Sequence, residues 1–100
     1  MNEDNYVYVG TKPTMKYVLA VVAQLNGGNS KVVIKARGRS ISKAVDVALI
    51  LQDRFVQNGE LQDIVIRTEA LNGEDGQPTK VSSIEIIMFK PLEAGLAAAK

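Results

Sequence analysis

Four cations and a glycine stand within the nine residues Lys35 to Lys43, KARGRSISK. The chemistry such a set supports is the holding of phosphate, not the making or breaking of bonds. Lys35, Arg37 and Arg39 bring three charges at alternate positions, and Gly38 lets the backbone bend tightly or approach a ligand closely. Ser40 or Ser42 is placed to cap a helix that follows. A helix start with free N–H groups beside two arginines suits an oxyanion. The spacing is neither G-x-G-x-x-G nor G-x-x-x-x-G-K-[ST], so dinucleotide and mononucleotide readings of the turn lack support. A solvated basic turn is the plain alternative.

The rest of the composition narrows the choice. The chain has no histidine and no cysteine. A nucleophile paired with an imidazole or thiolate therefore cannot be built, and a zinc site would need carboxylates alone. The chain is read as not an enzyme, a carboxylate-only or lysine-based one being the minor alternative, and no cofactor or metal is implied. With 46% apolar and 23% charged residues in 100, it fits one soluble domain with a single core. No apolar run reaches the ~18 residues of a membrane span, and the polar start MNEDN is unlike a signal peptide. A cytoplasmic protein without a membrane partner is expected.

Net charge is only +1, but its distribution is uneven. Between Asn5 and Val45 stand Lys12, Lys16, Lys31, Lys35, Arg37, Arg39 and Lys43 with no acidic residue, a local +7, while residues 46–100 carry −4. Phosphate binding follows the local field, so the first half is the candidate polyanion surface.

The elements that must position these charges follow from periodicity. NYVYVG, Asn5 to Gly10, alternates as a short strand. Thr11-Lys12-Pro13 is a second basic strand-to-helix turn, with Pro13 suited to the first helical position. The helix MKYVLAVVAQLN presents Met15, Val18, Leu19, Val22 and Leu25 at spacings of three and four, and Asn26-Gly27-Gly28 stops it. Lys31 to Ala36 is a strand with an apolar centre, expected to be central in the sheet.

A second helix, from Ile41 to Phe55, is apolar around far more than the ~100° stripe one sheet requires, which predicts self-association as a twofold dimer. Asn58-Gly59 closes it. Leu61 to Leu71 alternates, with Ile64, Ile66 and Thr68 on an inner face. NGEDGQPT is turn chemistry, and Lys80 to Lys90 is the returning strand of a long antiparallel hairpin.

The expected fold is an α/β two-layer sandwich of order β-α-β-α-β-β, a mixed four-stranded sheet with both helices on one face. Residues 1–90 form the domain; residues 91–100, PLEAGLAAAK, are a tail with no assigned function. If the first two strands are parallel neighbours, their basic turns emerge at the same end and form one patch.

KARGRSISKAVD, the GTKP turn, the MKYVLAVVAQLN helix and the closing VSSIEIIMFK strand together resemble the archaeal chromatin protein Alba family, in order over about residues 5–90. The resemblance implies a dimer that coats and compacts double-stranded DNA with little sequence preference, is chromosome-associated, and in several members also binds RNA. It places the family's basic turn on Lys35, Arg37 and Arg39, and its dimer–dimer phenylalanine on Phe55. The family's lysine pair before the proline falls on Thr11 and Lys12. The position whose acetylation tunes DNA affinity in some members is therefore threonine, which leaves Lys12 as the candidate modification site. The family's groove-following hairpin falls on Arg67 to Lys80, here with Glu74 and Asp75 at its tip.

The candidate nucleic-acid contacts are thus Lys12, Lys35, Arg37 and Arg39 on phosphates, Lys16 and Lys43 adding field from the helix starts, and Arg67 and Lys80 on the hairpin. Lys16 and Lys43 are equally read as ordinary solvated helix residues. Tyr6, Tyr8 and Tyr17 are read as core or interface residues, or as stacking platforms for single-stranded bases. Phe55 is read as closing the core or as contacting a neighbouring dimer. Three functions compete: a DNA-coating protein, an RNA-binding protein on the same scaffold, and an oligomerisation module whose basic patch is incidental.

Overall fold

The computed structural model describes residues 5–55, 61–73 and 75–89. Its elements run β1 (Asn5–Tyr8), α1 (Thr14–Asn26), β2 (Lys31–Arg37), a 3-10 turn (Gly38–Ser40), α2 (Ile41–Ile50), a π-helical turn (Leu51–Phe55), β3 (Leu61–Asn72) and β4 (Pro78–Phe89). The strands make one mixed sheet in the order β1-β2-β4-β3, parallel between β1 and β2 and antiparallel elsewhere. Both helices cover the same face, as the sequence predicts.

The hairpin returns β4 to the centre and leaves β3 at the edge. β4 is apolar on both faces around Ile84 to Met88, whereas β3 carries Asp63, Arg67 and Glu69, charges that an edge strand tolerates. β2, central as expected, buries Val32, Val33, Ile34 and Ala36. Under the helices, Leu25, Ile34, Leu51, Ile86 and Met88 are wholly buried. Truncating one such side chain to alanine costs about 2–5 kcal/mol.

Four local expectations are corrected. Pro13 precedes α1 in an extended conformation (ψ 148°) instead of occupying its first turn. Ser40 makes no side-chain cap, and neither does Ser42, which lies inside α2. The 3-10 turn already gives Ser40 helical dihedrals, whereas a capping side chain needs an extended backbone. Met15 and Leu19 of α1 are exposed, and the buried stripe is Tyr17, Val18, Val21 and Leu25. Spacings of three and four fit both stripes, and the stripe with Tyr17 is the one that turns inward. Finally, Ile64 and Ile66 do pair in register with buried Ile86 and Ile84, yet they are 50% and 75% exposed. The helices cover the sheet only as far as β4, so the inner face of the edge strand stays open.

Asn58 and Gly59, Glu74 at the hairpin tip, Lys90 at the end of the returning strand and the tail 91–100 lie outside the described residues. Among the described residues no helix is long and apolar enough to cross a membrane.

Candidate nucleic-acid interface

The two basic turns meet. β1 and β2 end side by side, Tyr8 opposite Lys35, and the Val9 N–H donates to the Lys35 carbonyl at 2.8 Å. Past these ends, Gly10–Pro13 leads into α1 and Gly38–Ser40 into α2. The Lys43 ammonium then donates to the Lys12 carbonyl at 2.7 Å, tying the first turn of α2 to the turn before α1. Lys43 is therefore a strut as well as a charge. Gly38 has φ +57° with open space around its Cβ position, so glycine is needed there for conformation and not for room.

Tyr17 organises the first turn from below. Its hydroxyl accepts the N–H of Gly10 at 2.9 Å and of Lys12 at 3.0 Å. Desolvation pushes this phenol's pKa up. The backbone donors at Lys12 and Gly10, with the charges of Lys43 and Lys12, outweigh it, and the net displacement is below the ordinary value of 10.0. The signal for this role in the sequence is the position of Tyr17 seven residues after Gly10, the glycine that follows β1.

The cations divide into two groups. Lys12, Lys16 and Arg39 are exposed and have no ion-pair partner among the described residues. Lys35, Arg37 and Arg67 stand on the sheet face opposite the helices, each beside a carboxylate. Arg37 lies 3.2 Å from Glu69, and Glu85 is shared by Lys35 at 3.4 Å and Arg67 at 3.1 Å. Such surface pairs contribute about 0–1 kcal/mol each to stability. Their larger effect is that two carboxylates, Glu69 and Glu85, already stand where a phosphate would arrive. Neither was legible as a partner, because Lys35 meets Glu85 only through the β2–β4 register.

Lys80 is exposed on the hairpin opposite Ala70, apart from the two turns. Arg67 lies opposite Ser83, in the body of the hairpin and not at its tip. Phe55 ends the π-helical turn, and its side chain lies outside what is described. The three tyrosines separate: Tyr17 is core, while Tyr6 and Tyr8 stand exposed on the open sheet face.

Comparison with known proteins accords with this fold. Residues 5–68 match the Alba family model. A protein named DNA/RNA-binding protein Alba from Methanocella arvoryzae is 51% identical over 94 residues, covering 94% of this chain and 98% of the relative. One of the same name from Picrophilus torridus is 52% identical over 91 residues, 90% of this chain and 100% of the relative. Among solved structures, Alba from Thermoplasma volcanium superposes with a TM-score of 0.80 at 51% identity, covering 86% of this chain and 100% of that one. An Alba protein of Trypanosoma brucei superposes at 0.69 with 26% identity, over 90% and 72% of the two chains.

Proposed function

The chain belongs to the Alba family, and we propose that it binds nucleic acid as a homodimer, coating and compacting double-stranded DNA at the chromosome, in the cytoplasm, through backbone phosphates. The observation that carries this reading is the Lys43–Lys12 bond, which holds two basic turns remote in sequence at one end of the sheet. Lys12, Lys16 and Arg39 offer that end cations with no competing carboxylate among the described residues. Phosphates give grip without sequence preference.

The dimer covers the apolar surface that one chain leaves open. Val45 and Leu49, one turn apart on α2, are 37% and 52% exposed, and Ile64 and Ile66 stand open on the same side of the sheet. A twofold partner supplies the cover that the helices do not. Phe55 extends the assembly from dimer to dimer, and acetylation of Lys12 weakens DNA binding by removing one cation.

If each chain sets Lys12, Lys16, Arg37 and Arg39 on phosphates, a dimer makes about eight contacts, and log affinity falls against log salt with a slope near −7. A salt titration with duplex DNA, run on the natural chain and on Arg37→Ala/Arg39→Ala, tests this. The double variant is expected to bind more weakly with a flatter slope. Equal binding by the two removes the turns from the mechanism. Sedimentation of Leu49→Asp/Ile66→Asp tests the dimer, the expected outcome being a folded monomer.

A further inference from the structure

The sheet face turned away from the helices carries two aromatic side chains that the duplex reading above leaves without a part. Tyr6 and Tyr8, two residues apart on β1, project from it with ring centroids 6.0 Å apart and planes 27° from parallel. The Lys35 ammonium lies 5.1 Å from the first ring centroid and 5.6 Å from the second, while Glu85 holds it from the other side. Cation–π attraction favours this placement of both rings. Even so, Tyr8 remains 66% exposed and Tyr6 41%. Aromatic residues so exposed on an ordered strand need an explanation, because burying them is worth more than leaving them in water.

Beside Tyr8, at the turn end of this face, a cavity of about 370 Å³ opens between Lys35, Arg37, Ser40, Glu69 and Ser83. It combines an aromatic wall, two cations that a phosphate would take over from Glu85 and Glu69, and hydroxyl and carboxylate groups able to meet the hydrogen-bonding edge of a planar heterocycle.

We propose that this face is a second nucleic-acid site, a platform on which unpaired bases of a single strand stack against Tyr8 and Tyr6 while Lys35 and Arg37 meet the flanking phosphates. A duplex presents phosphates and groove edges, its base faces being hidden in the stack, so the tyrosines distinguish single strands from duplexes. Arg37 belongs to both sites, and a strand leaving the platform runs toward the converged turns. The inference rests on the nucleic-acid-binding reading above and adds to it the class of ligand that this face takes.

The test measures binding of oligouridine, oligothymidine, an abasic strand of equal length and a short duplex to the natural chain, to Tyr6→Ala/Tyr8→Ala and to Tyr6→Phe/Tyr8→Phe. Tyrosine fluorescence is followed alongside, the chain having three tyrosines and no tryptophan. The alanine variant is expected to lose single-strand affinity by about tenfold or more per ring, with duplex and abasic affinity unchanged. The phenylalanine variant retains single-strand binding, and based strands quench the natural chain's fluorescence where the abasic strand does not. Oligouridine against oligothymidine then shows whether RNA or DNA is preferred.

Undiminished single-strand binding by the alanine variant overturns the platform. So does an equal loss for based, abasic and duplex ligands, or a changed oligomeric state without a single-strand defect, which would assign the face to a second copy. If the natural chain binds duplex but no single strand, the platform falls and the duplex reading stands. If it binds no nucleic acid at low salt, both fall.

Discussion

Two regions of this molecule carry similar positive charge and hold it differently. At the converged turns, Lys12, Lys16 and Arg39 stand without a described carboxylate, on backbone braced by the Tyr17 hydroxyl and the Lys43 ammonium. On the open sheet face, Lys35, Arg37 and Arg67 are matched to Glu69 and Glu85 at 3.1–3.4 Å. A cation already facing a carboxylate must exchange one anion for another when phosphate arrives, so it adds less affinity than an unmatched one. What matters for a polyanion is therefore which charges are unmatched, and a count along the chain does not show it.

The contrast is broken most directly by removing the unmatched set. Lys12→Ala/Arg39→Ala takes four cations from a dimer, so the salt slope for duplex DNA is expected to flatten by about 3–4 and affinity to fall on the order of a hundredfold. A loss no greater than that of a matched cation would erase the distinction. The brace comes next. Tyr17→Phe leaves the N–H groups of Gly10 and Lys12 without their acceptor, and differential scanning calorimetry is expected to show a melting temperature lower by about 5 °C. An unchanged melting temperature would mean that the turn holds its shape unaided.

Smaller effects sharpen the comparison from the matched side. Glu69→Gln turns Arg37 into an unmatched cation, so duplex affinity is expected to rise, by up to about fivefold, in the same titration. Arg67→Ala is expected to change duplex affinity by less than about twofold, since Glu85 loses one of its two partners. A large loss there would place the hairpin body in the contact surface.

The smallest effect is the titration of Tyr17. Its pKa lies below the ordinary 10.0, so the folded state favours the phenolate. The stability this contributes is present in full above pH 10 and is lost as pH falls through the folded value. Absorbance of tyrosinate, compared between the natural chain and Tyr17→Phe, is expected to show this ionisation below pH 10. The urea midpoint of the natural chain is expected to gain on the variant as pH rises through that interval.

Much of the architecture was legible in the residues. The alternation in NYVYVG, the apolar helices and the long hairpin each surfaced as the element expected, because periods of two and near 3.6 are local properties of the chain; the turn expected over Lys35 to Arg39 is shorter, since β2 runs on through Arg37 and only Gly38–Ser40 turns. The phase of α1 was not legible, since an apolar stripe through Met15 and Leu19 competes on equal terms with one through Tyr17 and Val21. Nor was the openness of Ile64 and Ile66, which depends on how far two helices reach across four strands. The capping expectation at Ser40 failed because a 3-10 turn intervened, a backbone detail that residue type alone does not specify.

The candidate site divides along the same line. The sequence by itself determined that the first half of the chain is basic, that no imidazole or thiolate chemistry is available, and that two basic turns follow two strands, because composition and short-range pattern carry those facts. Only the tertiary structure decided which cations stand clear of a carboxylate, and that Tyr6 and Tyr8 face outward with Lys35 between them and Glu85. Coulombic and stacking contacts act over a few ångströms, and residues 50 positions apart come that close only through strand register.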